Sequence, residues 1–243
     1  MNKKIGIITG ASSGMGKEFV RQLQSYALDE LWVIARDDQK LKQLFTVADR
    51  IPLKYMALDL CEKKDLKQLN DDLNREKPDV RLFVHCAGVG HAGDFEEISL
   101  SDISDMVLLN TNAAALTTKI VLPWMKEQSH IILMASASGF LPQKGFAIYA
   151  ATKSFVISFG KALRKELKAK KIYVTMVCPG PVDTPFLKIS NKGKKQKLLK
   201  RLTTVKPDVV VRKALTDANR RKTLSVYGFP MKFVYVISYF YKG

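Results

Sequence analysis

Tyr149 and Lys153, in the stretch YAATK, are the residues whose types and spacing first suggest chemistry. On a helix running from Tyr149 to about residue 170, a spacing of four puts the phenol and the ammonium on one face. A free tyrosine titrates near ~10 and is a poor acid–base group at neutrality. A nearby cation favours phenolate and draws that pKa toward the working range. Alone, such a pair is an ordinary surface arrangement. Ser136 closes the apolar run HIILMAS, where its hydroxyl can face a cleft and bond a substrate oxygen; a strand-end cap is the plainer reading. Asn110 falls in a helical stretch over 102–125. An amide there can bond backbone or water and help bring the Lys153 ammonium into a proton path. The alternative is a polar residue on a helix surface.

A second set lies at the start of the chain, where TGASSGMG follows the apolar run KKIGII. Gly10, Gly14 and Gly16 permit a tight turn, close approach of a diphosphate, and close packing of helix on sheet. Ser12 and Ser13 add hydroxyl donors. A helix beginning near Met15 turns unpaired N–H groups and a positive dipole end toward phosphate. No Gly-Lys-Ser/Thr closes the loop, which excludes the Walker pattern. A 2′-hydroxyl is held by an acid near the end of the second strand, a 2′-phosphate by a cation. LWVIA is followed by Arg36, whose charged fork pairs with phosphate and favours NADPH. Asp37, one residue on, pulls the other way.

These residues need a scaffold, and the apolar runs describe one. KKIGIIT, LWVIA, IPLKYMALDL, RLFVHCAG, HIILMASAS, KIYVTMVCPG and KTLSVYG read as strands. Helical spacing fills the gaps, as over 17–27, 38–47 and 62–75. The alternation predicts an α/β fold, one doubly wound parallel sheet of Rossmann type with helices on both faces. No repeat or composition shift divides 1–243, which reads as a single domain. Such sheets bind ligands beyond the carboxyl ends of their strands. Residues 9–16, 35–37, 59–60, 86–93, 136–139 and 179–186 therefore surround one cleft.

The ordered set TGASSGMG, Asp59, CAG at 86–88, Asn110, Ser136, YAATK and PGPVDT at 179–184 resembles the short-chain dehydrogenase/reductase family, over about residues 3–228. The resemblance implies an NAD(P)-dependent oxidoreductase, with Tyr149 as the general acid that protonates a carbonyl oxygen. Lys153 would lower the Tyr149 pKa and hold the nicotinamide ribose, Ser136 would position the carbonyl, and Asn110 would support a water-linked proton relay. Asp59 and Leu60 would meet the adenine, and Cys86, Ala87 and Gly88 the adenosine ribose side. Pro179, Gly180, Val182 and Thr184 would lie at the nicotinamide end. One departure stands out: the family's Asn-Ala-Gly reads Cys86-Ala87-Gly88 here, and a thiol bonds backbone only weakly. Some loss of local rigidity is expected, with cofactor binding kept.

Composition bounds the rest. With 47% hydrophobic residues the chain can bury a sizeable core. Cys61, Cys86 and Cys178 lie far apart, which suggests reduced thiols in a cytoplasmic setting. His85, His91 and His130 share no ligand spacing, so no metal is expected. No leader or membrane span is read at the start of the chain. The formal charge of +17 favours polyanionic partners. Eight Lys or Arg and no acid fall in 188–206, within a basic substrate-covering lid assigned to 185–206. That lid opens on Pro185-Phe186-Leu187. An apolar patch beside lysines suits an amphiphile with an anionic end, a lipid, or an acyl group on an acidic carrier protein. The aromatic tail at 229–243 can pack on the core, form a subunit interface in a homodimer or homotetramer, or dip into a membrane surface. Reduction of a ketone or aldehyde is the leading reading. A 3-oxoacyl-thioester reductase and a hydroxysteroid dehydrogenase are the alternatives. A non-catalytic nucleotide-sensing or polyanion-binding protein is the rival class, although no specific nucleic-acid signature supports it.

Overall fold

The computed structural model describes residues 2–186 and 204–240. Its elements are β1 (Lys4–Thr9), α1 (Gly14–Leu23), β2 (Glu30–Ala35), α2 (Asp38–Lys42), β3 (Leu53–Ala57), α3 (Lys63–Glu76), β4 (Asp79–His85) and α4 (Leu100–Val107). They continue with α5 (Ala113–Val121), β5 (Met125–Met134), α6 (Ala147–Glu166), β6 (Tyr173–Val177), α7 (Pro207–Asn219), β7 (Leu224–Ser225) and α8 (Phe229–Phe240). All strand pairs are parallel, in the order β3-β2-β1-β4-β5-β6-β7. Each apolar run of the sequence supplies one strand. The order reverses between β1 and β4, and a sheet of this kind opens a crevice there.

Successive strand residues bury to opposite faces, the two-residue period of a sheet covered on both sides. Trp32 and Ile34 of β2 join the cluster that holds Leu66, Leu69 and Leu73 of α3 with Val156 and Leu163 of α6. Leu31 and Val33 join the opposite cluster, with Phe19 and Leu23 of α1 and Val210, Ala214 and Leu215 of α7. Each fully buried Leu or Ile contributes roughly 1.5–3 kcal/mol, so both layers are needed to hold the sheet. At Gly160 a Cβ would collide with Met176 Sδ. Bare backbone there lets α6 lie on β6 and fixes where its first turns reach the cleft.

Three helical expectations are corrected. The stretch over 102–125 is two helices, α4 and α5, with one π turn (Leu108–Asn112) between them. The helix carrying Tyr149 starts at Ala147 and ends at Glu166. The first helix starts at Gly14, close to the expected Met15, but ends at Leu23, short of the helical spacing that runs to 27. Most of the basic segment at 185–206 lies outside the described residues. Its two ends do not: Val205 bridges Val182, and Val205 N–H donates to the Pro181 carbonyl at 3.1 Å.

Candidate active site

One cleft of about 680 Å³ opens at the carboxyl ends of the strands. Every residue expected at the site lines it except Asn110. The glycine turn forms its floor. Gly10 and Gly14 have positive φ, 64° and 50°, which side chains disfavour. A Cβ on Gly10 would stand 2.8 Å from the Ala87 Cα, and one on Gly16 would collide with the Gly10 carbonyl oxygen. Ser13 stands at the N-cap of α1, yet its side chain makes no cap hydrogen bond. The first N–H groups of α1 thus open toward the cleft. A dinucleotide diphosphate fits a helix terminus left in this state. Gly16→Ala is expected to cost about 1–3 kcal/mol through overpacking against backbone. Thermal unfolding reads this as roughly 2–4 °C per kcal/mol at this size.

At the far end, Arg36 Nη1 lies 3.7 Å from Asp59 Oδ2, with the Arg36 side chain 70% exposed. Asp59 Oδ1 also accepts from Cys61 N–H at 3.0 Å. Asp37 is the acid that clouded the cofactor reading, and the structure gives it other work. Its carboxylate accepts from Lys40 N–H at 3.0 Å, capping α2, and pairs with Lys40 Nζ at 2.7 Å. Lys40 also lines the cleft. Sequence reasoning missed it; only the turn of α2 brings it to the cleft.

The Cys86 departure has a structural answer. Thr9 Oγ1 accepts from both Cys86 N–H and Ala87 N–H, each at 3.1 Å. The same hydroxyl lies 3.2 Å from His85 Nδ1, as does the Thr117 hydroxyl. The end of β1 therefore holds the loop that the family's asparagine amide was expected to hold. Burial pushes the Cys86 thiol up to about 12, so it stays protonated and unreactive.

Ser136, Tyr149 and Lys153 are buried together above this floor. Ser136 Oγ accepts from Ser138 N–H at 3.1 Å, and its hydroxyl is close enough to Tyr149 to lower the phenol's pKa. Lys153 Nζ donates to the Met134 carbonyl at 3.0 Å and lies 5.7 Å from the centre of the Tyr149 ring. The expected fall in the Tyr149 pKa is not found in the chain by itself. Burial pushes the phenol up to about 12, against which the Ser136 hydroxyl works only partly. Burial also brings the Lys153 ammonium down to about 8. The desolvation that disfavours phenolate equally weakens the cation meant to stabilise it. Near neutrality the phenol is therefore neutral and the lysine charged, the pair of states that suits proton donation.

Asn110 is not a surface residue. Buried in the π turn, its Oδ1 accepts from Val89 N–H at 2.9 Å. Its Nδ2 donates to the Val89 carbonyl at 2.8 Å and to Thr152 Oγ1 at 3.1 Å. Both amide hydrogens are engaged, clamping the loop after β4 to α6. A Cβ on Gly88 would fall 2.9 Å from Asn110 Oδ1 and 3.3 Å from Lys153 Nζ. The clamp and the ammonium thus meet at one bare backbone position.

The other end of the cleft is apolar. Phe186 packs on the Tyr149 ring with centroids 5.7 Å apart, and Phe146 does so at 6.0 Å. Gly90 lies beneath, where a Cβ would stand 2.6 Å from the Phe186 ring and 2.9 Å from the Tyr149 ring. From α8, Met231 covers Gly180 and Val234 adds to the lining, while Tyr235 packs against Phe140 at 4.9 Å. Of the three fates open to the tail, packing on the fold is observed for Met231, Val234 and Tyr235, while Phe233 and Val236 are exposed.

Such a site, on a parallel sheet of this order, defines an oxidoreductase of Rossmann type. The chain belongs to the short chain dehydrogenase family, whose profile matches residues 4–195. It is 30% identical to an oxidoreductase of Staphylococcus saprophyticus over 206 residues, 82% of this chain and 86% of the relative. It is 28% identical to the 3-ketodihydrosphingosine reductase of Mus musculus over 224 residues, 87% of this chain and 67% of that one. Among solved structures, a short-chain dehydrogenase from Sphingobium yanoikuyae in complex with NADPH superimposes with a TM-score of 0.79. The two are 26% identical, with 92% of this chain and 87% of the other covered.

Proposed function

We propose that this chain reduces a ketone on an apolar or amphipathic substrate with NADPH, and that Tyr149 donates the proton. The observation that carries the reading is the Ser136–Tyr149–Lys153 cluster, buried at the apolar end of the cleft with its phenol neutral and its lysine charged. The nicotinamide supplies the hydride when bound. Ser136 orients the carbonyl oxygen toward the phenol, and the Lys153 charge stabilises the phenolate left behind. Asn110 acts through the loop it clamps, as a positioning residue. The α1 terminus with Ser12 and Ser13 would hold the diphosphate, and Arg36 and Lys40 the 2′-phosphate. Asp59, Leu60 and residues 86–88 would enclose the adenosine. Pro179, Gly180, Val182 and Thr184 would enclose the nicotinamide.

The mouse relative's name points to a ketone carried on a long aliphatic chain. The rings of Phe146 and Phe186, with Met231 and Val234, suit such a chain in this cleft. Purified protein is expected to oxidise NADPH fastest with a long-chain 3-keto amine, more slowly with an acetoacetyl thioester or a ketosteroid. Consumption of NADPH with none of these would overturn the reading. Salt-sensitive binding of a polyanion without turnover would favour the non-catalytic rival.

The pH dependence follows from the two burial shifts. Proton donation needs a neutral phenol, which persists up to about 12, and a charged Lys153, which is lost as pH rises through about 8. Reduction measured as kcat/KM is expected to hold level below about 8 and to fall above it. A rate that rises from pH 7 to 9 would contradict the assignment of Lys153.

A further inference from the structure

A second cavity, of about 330 Å³, lies at the opposite ends of the strands from the cleft. It is enclosed by the amino ends of β1, β4 and β5, the turn that joins α1 to β2, and the last turn of α7. The length of β1, from Lys4 to Thr9, puts about 17 Å of strand between it and the glycine turn. Its walls are apolar, formed by Leu28, Leu82, Ile132, Leu215 and Ala218. Its ionisable lining groups are Lys4, Arg81, Tyr26 and His130, and among the described residues no Asp or Glu lines it. The pairing of β4 with β5 shifts register between Val80 and Leu82, where Arg81 and Leu82, neighbours in sequence, both reach the cavity.

We propose that this cavity binds a free amphipathic monocarboxylate, with the carboxylate on Arg81, Lys4, Tyr26 and His130 and the hydrocarbon body against Leu82, Ile132 and Leu215. The donors are there to be used. Tyr26 Oη accepts from Asn219 Nδ2 at 3.3 Å, and burial raises its pKa, so the phenol keeps its own proton to give. His130 Nδ1 is buried without a hydrogen-bond partner, so the proton of the neutral ring belongs on Nε2, the nitrogen left to donate. Burial, with Arg221, Arg81 and Arg164 near by, brings the His130 pKa down to about 4 and keeps that ring neutral. Two of those guanidiniums meet no carboxylate among the described residues. Arg164 donates to the Val174 and Arg221 carbonyls at 2.9 and 2.6 Å, and Arg221 Nη2 to Gln128 Oε1 at 2.8 Å. Gln128 lines the cavity, so Arg221 stands one bond behind its wall. Both residues have positive φ, 66° and 58°, a strained backbone of the kind that gathers at ligand clamps. The nearby acids offset little of this charge: Asp79 Oδ1 lies 3.6 Å from Arg81 Nη1, and Asp29 Oδ2 takes the Lys4 backbone N–H rather than its ammonium. Cations beside apolar walls select an anion with a hydrocarbon body, because inorganic phosphate would lose hydration against those walls. The volume falls within the range of small-molecule pockets.

The site goes beyond the proposed reduction and stands without it. The chain has three histidines, which makes the test direct. The His130 ring resonances, assigned by their loss in His130→Gln, are followed by NMR in the full chain at pH 7 as octanoate is added. They are expected to move and saturate. Those of His85, which ends β4, and His91, which follows Gly90, lie at the cleft end of the sheet and should stay. Octanol and inorganic phosphate, at the concentration where octanoate saturates, should leave His130 unmoved. Arg81→Gln should weaken octanoate about tenfold, the loss of one charge-assisted bond. Lys4→Gln, at an exposed position, should weaken it about threefold and tests the charge even if loss of Arg81 beside Asp79 unsettles the fold. A His130 that ignores octanoate, an equal shift with octanol or phosphate, or parent affinity in both charge variants would overturn the proposal. Movement of His91 alone would put octanoate in the cleft and overturn it too. A chain that binds octanoate at His130 yet reduces no ketone would strike the reduction and leave this site standing.

Discussion

Tyr149→Phe lowers kcat about 10³-fold while NADPH binding, measured by calorimetry, stays within about twofold of the parent. The change removes one oxygen from a ring held between Phe146 and Phe186. Ring packing is kept, so the fold and cleft survive. What is lost is the proton donor beside Ser136, since burial holds the Cys86 thiol protonated and the Lys153 ammonium donates to the Met134 carbonyl. The Ser136 hydroxyl is left without its phenol, which is tolerable because it still accepts from Ser138 N–H. Should the Phe variant retain a tenth or more of the parent rate, another group supplies the proton, and the site must be reassigned.

Arg36→Ala is the second large effect, and it acts at the opposite end of the cleft. A charge-assisted bond from guanidinium to phosphate contributes about 1.5–3 kcal/mol. Its loss weakens NADPH by roughly 10- to 100-fold. NADH carries no 2′-phosphate and should change by less than about threefold. In the chain as described, Arg36 leans on Asp59 at 3.7 Å, a mostly exposed pair of little strength. The guanidinium is therefore free to turn to a phosphate at low cost. Titration of both cofactors against the variant decides the matter: equal weakening would mean that Arg36 merely holds Asp59 in place.

The strands were legible because a doubly covered sheet needs continuous apolar runs, and this chain has seven of them between polar helical stretches. The glycine turn was legible because positive φ at Gly10 and Gly14 excludes most other residues. The π turn was not. Leu108, Leu109 and the residues around them keep helical spacing, and the break arises where Asn110 must reach Val89. Lys40 escaped notice because its place in the cleft depends on how α2 leaves β2, and α8 left three options open because an aromatic run suits any of them. The Tyr149 pKa was misjudged for a related reason. Spacing tells that a cation is near, whereas the degree of burial, which here dominates, is a property of the folded chain.

The meeting of the Tyr149 and Phe186 rings over Gly90 has a consequence for how a lineage of such enzymes can diverge. Change at residue 90 is disfavoured, because a side chain there would press on the Tyr149 and Phe186 rings together. Residue 186 has room to vary, since a smaller or differently shaped group there alters one wall and leaves the Tyr149 ring in place. New substrate ranges should therefore be sought among descendants that differ at 186 and in the first turns of α8, with 90 unchanged.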